Sequence, residues 1–114
     1  MVTRKGSREY SLSRVRELAE GQNVLYAHSK KATKDIEDRL NFSFKDVCDR
    51  IAMLRKEHYQ ESLNYGDRKG WLDVYLIPLD SYLGNTENLY IKLKLDRDCC
   101  QVIVISFHPE GEYE

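Results

Sequence analysis

Between Leu89 and Leu95 the chain alternates without exception: Leu89, Ile91, Leu93 and Leu95 are aliphatic, and Tyr90, Lys92 and Lys94 stand between them. Successive side chains of a β-strand point to opposite faces, so this segment is a strand with one face buried and one open. A one-residue slip would drive both lysines into the core, which fixes the register of any sheet containing it. Two neighbouring segments, Trp71 to Leu79 and Cys100 to Phe107, have the same β-branched and aromatic character. Gly84-Asn85 and Asp96-Arg97-Asp98 supply turn chemistry between the runs. An antiparallel meander is therefore predicted for the C-terminal half.

Upstream the spacing becomes helical. Leu12, Val15, Leu18 and Ala19 form one stripe, with Ser11 or Ser13 able to cap the helix and Gly21 near its end. Asn23 to Ala27 reads as a short strand or an extended linker. Ser29 opens a second helix in which Ala32, Ile36 and Leu40 recur every four residues, leaving Lys31, Lys34, Asp35 and Asp38 to solvent. Ser43 and Asp46 have capping-box spacing ahead of Phe44, Val47, Cys48, Ile51 and Leu54, the stripe of a third helix. Residues 1–10 are rich in Arg, Lys, Gly and Ser, have no hydrophobic period and read as a flexible leader. The expected fold is α+β: a single two-layer domain over residues 11–108, N-terminal helices packed on a C-terminal antiparallel sheet, followed by an acidic tail at 109–114. Leu89, Ile91, Leu93 and Leu95 should bury against Val15, Leu18, Val47, Ile51 and Leu54.

A chain of 114 residues, 41% hydrophobic and 32% charged, suits one soluble core and not a disordered chain. No window approaches the roughly 20 apolar residues a membrane helix needs. The opening Met1-Val2-Thr3-Arg4-Lys5-Gly6 has no apolar run behind its basic residues, so it does not read as a secretory signal. Cys48, Cys99 and Cys100 are an odd number without C-x-x-C spacing, which suits reduced thiols in a cytoplasm. Charge is uneven: 15 Lys/Arg face 11 Asp/Glu through Gly70, and 3 face 8 from Trp71 onward. Glu110, Glu112 and Glu114 account for much of the second imbalance. The mildly basic body permits an acidic partner such as nucleic acid, although a mixed solvated surface is the plainer reading.

Signatures of several enzyme classes are missing: no Gly-rich phosphate loop, no G-x-S-x-G and no H-E-x-x-H. His28, His58 and His108 have no metal-ligand spacing, so no metal site and no cofactor are expected. What remains suits phosphate chemistry. Lys92 and Lys94 share a strand face with Tyr90; Arg55, Lys56, Arg68 and Lys69 flank the region between the third helix and the sheet; His108 ends the last strand. RNA cleaves itself once its 2′-hydroxyl is deprotonated, the phosphorane charge is neutralised and the leaving 5′-oxygen is protonated. A base, an acid and well-placed cations suffice. Trp71, Asp73 and Tyr75 share one strand parity. The two rings either stack bases or pack in the core.

The pattern Leu12-Ser13-x-Val15-Arg16-x-Leu18 resembles the opening of the MqsR toxin family. Tyr59-x5-Tyr65-x-Asp67-x3-Trp71-x-Asp73-Val74-Tyr75 resembles its central block, and Leu89-Tyr90-Ile91-Lys92-Leu93 and Val102-Ile103-Val104-Ile105-Ser106-Phe107 its closing strands. The resemblance is colinear from about Ser11 to His108, and the match of Asp73 within the central block suggests a structural hydrogen bond for it, not a general base. It implies a RelE-like fold and a ribosome-independent messenger-RNA endoribonuclease preferring GCU-type sites. It also implies a cognate antitoxin, zinc-containing and carrying a helix-turn-helix DNA-binding domain, that holds the toxin inactive.

Carried over residue by residue, Tyr90 stands at the family's active-site tyrosine. Gln60 stands where the family has a lysine, with Glu61 there instead if the alignment moves by one. Leu72 replaces a glutamine, and His108 replaces the lysine after the final Ser-Phe. An imidazole, at about 6.5, exchanges protons near neutrality more readily than a lysine at about 10.4, so His108 can serve as a general acid. Lys92 then supplies the lost positive charge. The expected catalytic residues are Tyr90, His108 and Gln60, and the expected RNA contacts are Lys92, Lys94, Arg68, Lys69 and Arg55. The expected partners are single-stranded mRNA and the antitoxin. The competing reading is a catalytically decayed interaction protein of the same fold, acting only through an antitoxin-like partner. A tight turn at Asp96 to Asp98 places Tyr90 opposite Val104; a bulge or a longer loop at Cys99-Cys100 would move its partner toward His108.

Overall fold

In the computed structural model, which describes residues 1–26, 28–80 and 86–110, Leu89, Ile91, Leu93 and Leu95 are buried and Tyr90, Lys92 and Lys94 occupy the other face of their strand. The elements run β1 (Thr3–Lys5), α1 (Leu12–Glu20), β2 (Val24–Leu25), α2 (Lys30–Lys34) continued by a π-helical turn (Asp35–Arg39), and α3 (Phe44–Ala52). A 3₁₀ turn (Lys56–His58) then leads into β3 (Tyr59–Asn64), β4 (Trp71–Asp80), β5 (Thr86–Leu95) and β6 (Val102–Pro109). The expected turn at Gly84-Asn85 and the tail residues Glu112 and Glu114 lie outside the described residues.

The sheet order is β1-β3-β4-β5-β6-β2. Strands β3 to β6 form the expected antiparallel meander. The sheet as a whole is mixed, not antiparallel, because β2 runs parallel to β6, Val24 beside Val102 and Leu25 beside Ile103. Two residues carry too short a pattern to reveal a strand's direction.

The first ten residues are not a loose leader. Thr3, Arg4 and Lys5 pair antiparallel with Asn64, Leu63 and Ser62, and the Tyr10 hydroxyl donates to the Trp71 carbonyl at 2.7 Å. The segment has no hydrophobic period because β1 is a three-residue edge strand, largely exposed, and edge strands are commonly polar.

Helix α1 is capped by Ser11, whose side chain accepts from the Arg14 amide, and closes at Gly21. Ser29 caps α2 in the same way through Ala32. Beyond Lys34 the backbone bonds five residues back, with the Leu40 amide donating to the Asp35 carbonyl at 3.0 Å. Asp35, expected in solvent, lies three residues after the buried Ala32 and so falls on the same helix face; it is buried with a carboxylate oxygen 3.4 Å from Arg39 Nε. The α3 capping box is complete: the Ser43 amide donates to Asp46 at 2.8 Å and the Asp46 amide to Ser43 at 3.1 Å.

Val15, Leu18, Val47, Ile51 and Leu54 pack with the inward residues of β5 in one core, together with Tyr75, Ile77, Val104 and Phe107. Burying each such aliphatic side chain is worth about 1.5–3 kcal/mol. The helices cover this face. Across the other, the loop from Tyr65 to Gly70 folds back over β4 and is tied to β5: Lys92 Nζ donates to the Tyr65 hydroxyl at 3.0 Å and Lys94 Nζ to the Lys69 carbonyl at 3.3 Å.

Candidate active site

Tyr90 stands directly opposite His108 across β5 and β6. Two departures from the simplest hairpin produce this. The loop occupies residues 96–101 and not 96–98, since Leu95 pairs with Val102, and this moves the partner of Tyr90 from Val104 by three residues. A bulge after Lys92, where the register jumps from Ser106 to Val104, supplies the fourth. The loop is shaped by Asp96, whose carboxylate accepts from the Cys100 and Gln101 amides, and by Cys99 at a φ of 55°. Consequently Cys99 and Cys100 both lie in this loop, and the last strand begins at Val102, not at Cys100.

The two rings are stacked, centroids 4.9 Å apart and planes 16° from parallel. His108 Nδ1 lies 2.8 Å from the Pro109 carbonyl. A carbonyl can only accept, so Nδ1 carries the hydrogen there. Burial pushes the Tyr90 phenol above its ordinary value, and the nearby Tyr65 and Glu61 add to this against the opposing charge of Arg4. Tyr90 thus stays protonated across the neutral range.

Further groups complete the face. Lys92 pairs with Ser106, so the Ser106 hydroxyl shares its side of the sheet, and the Lys92 ammonium also lies 4.9 Å from the Tyr65 ring centre. Glu61 is paired with Val74, which is itself paired with Lys92, and its carboxylate is bound by Arg4 at 2.8 Å. Arg4 and Glu61 were hard to assign from sequence. Arg4 belongs to the supposed leader, and Glu61 is positioned by a bulge at Gln60 that the residue pattern does not reveal.

The remaining expected site residues are dispersed. Gln60 is exposed at the bulge, its amide donating to the His58 carbonyl at 3.3 Å. Lys94 continues the Tyr90–Lys92 row, and its ammonium is engaged with the Lys69 backbone. Arg68 is exposed in the covering loop, while Lys69 lines a pocket of about 270 Å³ with Tyr26, His28 and Ile103. Arg55 is separated from the lysines: it lines clefts on the helical side with Arg16 and Glu57. Leu72 shares the open face by register with Leu63, yet is only 1% exposed.

Among the aromatic candidates, Tyr75 is fully buried and Trp71 lies beneath the Lys5 ammonium at 4.4 Å, so both are packing residues. Asp73 makes the structural hydrogen bonds expected of it. Its carboxylate accepts from the Glu9 and Tyr10 amides, each at 3.0 Å, and from the Ser62 hydroxyl. Among the described residues no three His, Cys, Asp or Glu side chains stand close enough to hold a metal ion.

The fold and site define a class: small α+β proteins with helices on one sheet face and a cluster of titratable and basic side chains on the other. More particularly, the family described as motility quorum-sensing regulator, toxin of MqsA, matches residues 8–109, and the chain belongs to it. It is therefore a member of a family of toxins from toxin–antitoxin systems. No curated protein matches the chain significantly. Among the described residues no helix is long and apolar enough to cross a membrane.

Proposed function

We propose that the chain is a cytoplasmic endoribonuclease that cleaves single-stranded mRNA without a metal and is silenced by a cognate antitoxin, one with a helix-turn-helix DNA-binding domain. The observation that carries this reading is the Tyr90–His108 stack with Lys92 one step further along the same open face. In the proposed reaction the RNA 2′-oxygen attacks the adjacent phosphorus, the P–O5′ bond breaks, and the products are a 2′,3′-cyclic phosphate and a 5′-hydroxyl. Glu61 accepts the 2′-proton. Lys92 and the protonated Tyr90 hydroxyl hold the phosphorane oxygens, where charge develops. His108, through Nε2, protonates the departing 5′-oxygen. Gln60, Lys94, Arg68 and Lys69 contact the strand at the rim.

The buried Leu72, standing where the resembling toxins carry a glutamine, favours the alternative of a decayed site working only through an antitoxin-like partner. Product chemistry separates the two. The purified chain, incubated with single-stranded RNA in excess chelator, should yield cyclic-phosphate and 5′-hydroxyl ends. Intact RNA would leave the interaction protein as the correct reading.

A further inference from the structure

The side of the molecule that carries the helices holds a second concentration of charge. One cleft of about 610 Å³ is lined by Arg8, Arg16, Arg55 and Lys56, with Ser11 and Ser13 at its wall. A second, of about 580 Å³, is lined by Arg16, Arg50 and Arg55 and floored by Met53, Ile77 and Pro78. The two share Arg16, Arg55 and Glu57 and so form one continuous groove. Five cations face a single carboxylate, Glu57. Among the described residues none of the five is in an ion pair. Cations left unpaired around one groove raise the local concentration of an anionic ligand.

The sheet connects this groove to the candidate active site. Strand β3 begins at Tyr59 opposite Tyr75, so from Leu76 to Pro78 the described β4 has no strand neighbour on that side, where the 3₁₀ turn Lys56–His58 packs against it. Ile77 and Pro78, at this edge, line the groove. Leu76 is the direct partner of Tyr90 on the open face. Neighbouring strands lie roughly 4.8 Å apart, so Tyr90 is one strand and His108 two strands in from an edge with the groove on its far side. A flexible strand can cover that distance in a few nucleotides.

We propose that this groove is a phosphate track for single-stranded RNA, holding nucleotides that flank the scissile bond after the strand has turned over the β4 edge. The inference rests on the endoribonuclease reading and extends it. Guanidinium forks accept phosphate or carboxylate oxygens alike; continuity with the open face favours a ligand that occupies both places at once. Among the described residues the groove lining holds no Trp, Tyr or Phe, so its described part offers cations to the backbone and no large aromatic platform to the bases. It therefore adds affinity and length dependence without adding sequence preference.

The test uses binding of single-stranded oligonucleotides whose 2′-positions are deoxy, which cannot be cleaved and so report binding alone. Arg8→Gln, Arg55→Gln and Lys56→Gln are combined, because among the described residues none of these side chains donates a hydrogen bond that the fold would lose. For a strand of about twelve nucleotides the triple variant should bind at least tenfold more weakly. The log–log salt slope should fall by about two, at roughly 0.7 for each lost phosphate contact. For a strand of about four nucleotides, affinity should be unchanged. Equal losses at both lengths, or no loss at either, would overturn the phosphate track. So would loss of antitoxin binding with RNA binding intact, which would reassign the groove to a protein partner. If the wild-type chain binds in this length-dependent way yet never cleaves RNA, the catalytic reading fails and the track stands.

Discussion

Asp73 joins the N-terminal segment to the sheet at the scale of a single residue. It is fully buried, and its carboxylate gathers two backbone amides from Glu9 and Tyr10 and the Ser62 hydroxyl. Asp73→Ala would leave three donors without their acceptor, and the expected loss of stability is about 3–5 kcal/mol. Denaturant unfolding measures this directly. Proteolysis should also cut the first ten residues sooner in the variant, since their anchor on β4 is gone. An unchanged midpoint would mean the amides find water instead. The structural role of Asp73 was suggested in sequence by its match in the family's central block, not by its spacing. The contribution of Arg4 was not, because an exposed three-residue edge strand has the composition of a loose tail. Glu61 entered only as the result of shifting an alignment by one, and the bulge at Gln60 is the physical reason the shift matters.

Among the elements, the β5–β6 hairpin decides whether a site exists at all. The alternation of β5 reveals its buried face, but nothing in that pattern reports the length of the following loop or the bulge after Lys92. Both features rotate His108 into register with Tyr90. Cys99 adopts left-handed backbone in that loop at a φ of 55°, a conformation that costs a non-glycine residue about 1 kcal/mol or more. Cys99→Gly should therefore raise stability by about 0.5 kcal/mol after allowing for glycine's greater freedom in the unfolded chain. Cleavage by the variant should be unaltered. A lowered melting temperature would show that the thiol side chain contributes packing that outweighs the strain. The helices were more transparent, because Ser11, Ser29 and Ser43 mark their starts by a local hydrogen bond that sequence spacing encodes. The π-helical turn after Lys34 was not.

The whole molecule divides its labour between two faces of one sheet, with a core of helices on the first and a polar cluster on the second. Several tyrosines link the two to pH. Burial, with Asp73 and Glu9 nearby, pushes Tyr10 up to about 12 from 10.0. Burial likewise raises Tyr26, Tyr75 and Tyr90. Each phenol is harder to ionise folded than unfolded, so the stability it contributes is intact below pH 10 and is lost as pH rises through the folded value. Melting temperature should decline between pH 10 and about 12, and Tyr10→Phe should make that decline shallower. A decline of the same steepness would assign it to other groups. The two-layer α+β architecture was legible from period alone, since helical spacing gives way to alternation after Tyr59. The direction of β2 and the groove on the helical side depend on long-range placement and were not. The claim on which the rest depends is that Tyr90 and His108 cut RNA together. Single-turnover cleavage of single-stranded RNA by wild type, Tyr90→Phe and His108→Ala tests it most directly. The account predicts that each variant is slowed by roughly 10²–10⁴-fold, with folding and antitoxin binding unchanged. Wild-type rates in both variants would contradict it.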